Sequence, residues 1–180
     1  MSNTPSNTNK RNLRSKRLAT AALLVTLALI FSYVEALIPS PVAIPGVKLG
    51  LANLVILVAL YQLDFRYAFA ISIVRIIISG LLFSGVFGML YSMAGGILSL
   101  LVMYFLKKTN LFSIIGVSMA GGVFHNIGQI LVASLVVSDL RMFLYLPILM
   151  FSGIISGILI GIFTYYILKA LPGDLLKQNS

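Results

Sequence analysis

Cysteine is absent from the 180 residues. Disulfides and thiolate metal sites are therefore excluded. Histidine occurs once, as His125, so no site built on several imidazoles is possible. Carboxylates number four: Glu35, Asp64, Asp139 and Asp174. They are scattered, and no DDxxD run occurs, so paired acids to hold Mg²⁺ for diphosphate chemistry are missing. There is no GxxxxGK[ST] phosphate loop and no serine in a nucleophile-elbow setting. These gaps speak against an enzyme, and no cofactor is implied. Charge of either sign is scarce, at 9% of residues. A soluble domain carries about 25%, so this surface would not stay in water.

What is present is apolar. Hydrophobic residues make up 59% of the chain, and the mean hydropathy is +1.06. The reading is an all-α membrane protein with six transmembrane helices. The runs are Leu18–Ile38, Leu49–Leu63, Tyr67–Phe83, Val86–Leu106, Leu111–Val137 and Met142–Leu171. The first, with about 20 residues, matches the hydrocarbon core and exceeds a signal-peptide core. Polar turns separate the runs at Asp64–Arg66, Ser84–Gly85, Lys107–Asn110 and Ser138–Arg141. Residues 1–17 form a basic tail expected to be disordered, 18–171 the membrane domain, and 172–180 a second polar tail.

The net charge of +9 is uneven. Lys10, Arg11, Arg14, Lys16 and Arg17 crowd the first tail. With six crossings, ten Lys and Arg fall on one side and two, Lys48 and Arg141, on the other. The positive-inside rule then puts both termini in the cytoplasm of a cell-membrane protein. The tail reads as a topology signal attracted to anionic headgroups. Nucleic-acid binding lacks the folded module and interleaved aromatics it needs.

Between the first two runs, Pro39, Pro41 and Pro45 break the helix next to Gly46, Lys48 and Gly50. Irregular backbone at this depth is tolerated where protein or a water-filled cavity surrounds it. The segment Pro39–Asn53 is expected to close one end of such a cavity from outside. Arg75 interrupts the third run, and charges there face a cavity or a partner. Glu35 is the counter-ion nearest in depth. The pair either holds helices together or lines a ligand site. His125, Asn126 and Gln129 share part of one helix face, as an interhelical clamp or as a lining for a polar headgroup. Together with Lys48 and Asn53 these are the candidate substrate-binding residues. Gly153, Gly157 and Gly161 repeat every fourth residue, with Gly95-Gly96 and Gly121-Gly122 on other runs. Packing within this chain accounts for them better than a dimer seam does. Ala22–Thr26 and Ala28–Ser32 are weaker small-residue pairs.

The strings PGVKLGLANLVILVALY, RIIISGLLF, LYSMAGGILSL and FHNIGQILVAS resemble the Gx transporters, also called heptaprenyl diphosphate synthase component I. The likeness runs from about residue 17 to 170. That family in turn resembles the S components of energy-coupling-factor transporters. The resemblance implies six helices with both termini inside and a loop capping an outward-facing pocket for a small molecule such as a vitamin. It implies a partner, a transmembrane coupling protein with two ATPase subunits. S components dock through an Ala-xxx-Ala pair on the first helix; the nearest matches are Ala22, Thr26, Ala28 and Ser32. The synthase label implies an alternative, a non-catalytic accessory role in quinone or prenyl diphosphate synthesis or in extracellular electron transfer.

Overall fold

A computed structural model of the protein describes residues 7–37 and 50–171. The proline segment 39–49, with Lys48, and the tail 172–180 lie outside the described residues. The described chain is helical throughout: α1 (Asn7–Leu37), α2 (Leu51–Gln62), α3 (Phe65–Ser79), α4 (Gly85–Thr109), α5 (Ile114–Val137) and α6 (Leu146–Ala170). A π turn, Gly80–Ser84, follows α3, and a 3₁₀ turn, Leu140–Tyr145, precedes α6. Four helical stretches are long and apolar enough to cross a membrane: 11–37, 65–109, 114–137 and 140–170. The stretch 65–109 folds back on itself. Gly85 has φ +68°, a left-handed value that glycine adopts without strain. A Cβ on Gly80 would lie 2.8 Å from Met89 Cβ, and one on Gly96 3.1 Å from Ile76 Cδ1. α3 and α4 are therefore antiparallel neighbours.

The helix ends follow from local chemistry. Asp64 caps α3, its carboxylate accepting from the Tyr67 N–H at 3.1 Å. Ser113 caps α5 in the same way through the Gly116 N–H, at 3.2 Å. Asp139 accepts from the Arg141 N–H at 2.9 Å and starts the 3₁₀ turn. Pro147 occupies the first turn of α6, where no N–H is needed. Lys107, in the last turn of α4, reaches the C-terminal end of α2. Its Nζ donates to the Leu60 carbonyl at 2.6 Å and lies 4.8 Å from the Tyr61 ring centroid.

One boundary differs from expectation. Residues 7–17, expected to be disordered, extend α1 by about three turns. Once the apolar run forms helix, each added residue costs little, and Lys, Arg and Leu are good helix formers.

α2 is the centre of the bundle. Val55, Ile56, Leu57, Val58, Ala59 and Leu60 are all buried, so every side of the helix meets protein. Leu24, Ala28, Ala68, Ile71, Leu100, Val117 and Ile160 from the other five helices surround it. The outside is the reverse of a soluble protein. Leu81, Leu82, Phe87, Phe105, Phe151, Ile155 and Phe163 are exposed, which suits lipid and not water.

The glycines pack within the chain, as expected. A Cβ on Gly122 would sit 2.3 Å from the Gly153 carbonyl oxygen, and one on Gly157 2.6 Å from Met119 Cα. Between α4 and α5, a Cβ on Gly128 would lie 2.8 Å from the Ala94 oxygen. Backbones this close gain dispersion contacts that lipid cannot supply.

Candidate functional site

A cavity of about 260 Å³ opens where α1 and α3 end and α4 begins. Ser32 and Glu35 reach it from α1, Arg75 and Ser79 from α3, Tyr91 and Ser92 from α4, and Gln129 from α5. The π turn adds Phe83 and Ser84. Its wider winding carries α3 around the cavity mouth, a common use of such turns at functional sites.

Arg75 is 7% exposed. Its Nη1 donates to Ser32 Oγ at 3.4 Å. Glu35 is the carboxylate whose field reaches it. The Glu35 carboxylate also accepts from the Gly50 N–H. Gly50 has φ +76°, which lets the chain enter α2 with that N–H turned toward α1. Among the described residues, Arg75 Nε and Nη2 are buried without hydrogen-bond partners. These two donors lie side by side on one edge of the guanidinium, the fork that matches a carboxylate or phosphate. Gln129 is 4% exposed, and its Oε1 and Nε2 also lack partners among the described residues. Unmade buried hydrogen bonds cost about 1–3 kcal/mol each. Each such group calls for an explanation, and these stand on two residues that line the cavity.

The other candidates are elsewhere. Asn53, His125 and Asn126 line a separate void of about 10 Å³ between α2, α4, α5 and α6, at the lower limit for one water. The expectation of one pocket for all candidates is corrected here. The cause is Gly95, which brings the α4 backbone against α5: a Cβ there would lie 2.6 Å from the His125 oxygen and 2.9 Å from Gln129 Cγ. Gln129, one turn farther along α5, escapes to the larger cavity. Asn126 is a clamp, its Nδ2 donating to the Leu149 carbonyl of α6 at 2.6 Å. Lys48 lies outside the described residues.

The proposed docking residues also divide. Ala28 is fully buried in the core, and Ser32 is buried against Arg75, so neither faces a partner. Ala22 and Thr26 are exposed one turn apart, with Thr26 Oγ1 bonded back to the Ala22 carbonyl at 3.1 Å.

Sequence reasoning missed Ser79, Tyr91 and Ser92 as lining residues. The signal was present, since hydroxyls inside apolar runs raise the same question as Arg75. Among the described residues no three His, Asp or Glu side chains come together to hold a metal. The arrangement offers hydrogen bonds and one guanidinium charge, partly balanced by Glu35, to a small polar molecule.

No curated protein and no solved structure matches the chain. A family model covers residues 24–167, which takes in the cavity residues, α2 to α5, and parts of α1 and α6. The chain belongs to the heptaprenyl diphosphate synthase component I family.

Proposed function

We propose that the protein is a membrane-embedded solute-binding subunit, like the S component of an energy-coupling-factor importer, and that it is not an enzyme. In this reading the six helices all cross the cell membrane, with both termini cytoplasmic. The cavity then lies at the outer end of the bundle. One observation carries the proposal: Arg75 and Gln129, two buried polar side chains with atoms left unpartnered among the described residues, line one cavity. The ligand is small. The cavity that would hold it measures about 260 Å³. It carries an anionic or strongly hydrogen-bonding group for Arg75 and further polar atoms for the serines. The partner is a coupling protein with two ATPase subunits, docking on the exposed Ala22–Thr26 side of α1.

Native mass spectrometry of the protein purified in mild detergent tests the proposal. A co-purifying small molecule should be retained by the wild type and lost from Arg75→Lys and Gln129→Leu. Variants that keep it, or a wild type that carries nothing and is stabilised by no member of a broad solute library, would refute it. The family's description supports a second reading, a non-catalytic component of a prenyl diphosphate synthase. Co-purification of a soluble synthase subunit, in place of ATPase subunits, would favour that role.

A further inference from the structure

We propose a second site, at the opposite end of the bundle, that holds the phosphate headgroup of an anionic phospholipid. α1 has 31 residues, about 46 Å at 1.5 Å per residue, against about 30 Å of hydrocarbon. Its apolar part begins at Leu18, so Leu13–Arg17 forms the turn just beyond the hydrocarbon, at headgroup depth. The α2–α3 turn comes to the same level. Between them lies an open groove of about 810 Å³, lined by Leu13, Arg14, Arg17, Asp64, Arg66, Tyr67 and Ala70.

Its charge is unbalanced. Three guanidiniums face one carboxylate, and Asp64 already accepts the Tyr67 N–H as the cap of α3. The groove keeps a positive excess, and guanidinium is the side chain best matched to phosphate. Leu13, Tyr67 and Ala70 give it a flank that is apolar, with a tyrosine at the level favoured by interfacial aromatics. A cationic rim beside an apolar flank fits an amphiphile with a phosphate at one end. Basic pockets between helices at a membrane face bind such lipids. A free phosphate would use the rim and leave the flank idle.

The test compares lipid binding by the full-length protein in detergent. Phosphatidylglycerol and phosphatidylcholine with the same acyl chains are titrated and followed by native mass spectrometry. Phosphatidylglycerol should be preferred. The preference should fall about fivefold for each arginine removed in Arg14→Gln and Arg66→Gln. Both side chains are exposed, and unchanged circular dichroism and gel filtration would show that the fold is kept. The control is Arg11→Gln with Lys16→Gln, two exposed charges of the same helix outside the groove, which should leave the preference intact. An equal loss in the control would mean that diffuse charge attracts the lipid, and no site exists. Equal binding of the two lipids by the wild type would overturn the proposal as well. So would displacement of phosphatidylglycerol by equimolar inorganic diphosphate, because the apolar flank would then contribute nothing.

Discussion

Among the described residues Arg75 makes one long hydrogen bond, to Ser32, and its Nε and Nη2 are buried without partners. Lysine in its place keeps the charge and the stem but loses the fork, since an ammonium has no planar pair of donors. Arg75→Lys should therefore retain helix content and a monodisperse gel-filtration peak while weakening ligand binding at least tenfold, the equivalent of about 1.4 kcal/mol. Binding that falls only with stability would assign Arg75 to packing. Asn126 has the opposite character, because its donor is spent on the Leu149 carbonyl. Asn126→Leu should cost about 0.6–2 kcal/mol, read as a lower midpoint of thermal unfolding in detergent, with ligand affinity unchanged. Two amides one turn apart on α5 thus have different duties. Their types and spacing made them look alike in the sequence.

At the scale of elements, the α5–α6 seam is set by glycine. A Cβ on Gly122 would come within 2.3 Å of the Gly153 oxygen, a backbone atom that cannot swing aside. Gly122→Val should force the helices apart and cost at least about 1–3 kcal/mol, as overpacking does. Gly116 is the contrast. Its nearest neighbour to a new Cβ is Ser113 Oγ, at an ordinary 3.6 Å. Gly116→Ala should be neutral or stabilising by up to about 1 kcal/mol, from helix propensity. Unfolding both variants in a denaturing detergent series would check the pair. If Gly122→Val were as stable as Gly116→Ala, the seam would not depend on backbone approach.

Helix positions were legible in the sequence because hydropathy and turn chemistry mark them. Asp64, Gly85, Asn110 and Ser138 stand at ends that composition alone would place. The rotation of each helix about its axis was not legible. In a soluble protein, polarity shows which side faces out. Here lipid and core are both apolar, so the pattern of α1 could not tell that Ala28 and Ser32 turn inward while Ala22 and Thr26 turn out. The same ambiguity hid the wall that Gly95 raises between His125 and the cavity.

For the whole molecule, the missing cysteines become useful. Single cysteines can be placed without background, and a membrane-impermeant maleimide applied to intact cells reports their side. Leu140, in the turn after α5, is 79% exposed, and Leu111, in the turn before it, is 83% exposed. With six crossings and cytoplasmic termini, Leu140→Cys should label from outside and Leu111→Cys only after the cells are opened. The reverse pattern would invert the protein, and labelling of both from outside would remove one crossing.

α2 carries a consequence for how the chain is made. Its 12 residues span about 18 Å, too little to bridge lipid alone. Left to itself in a bilayer, it would strand the polar ends of its backbone in oil. With six crossings, its entry would depend on α1 and α3 being beside it, and the three would have to insert together. Biogenesis should then stall at a nascent chain cut just after Gln62 and resume once α3 has emerged.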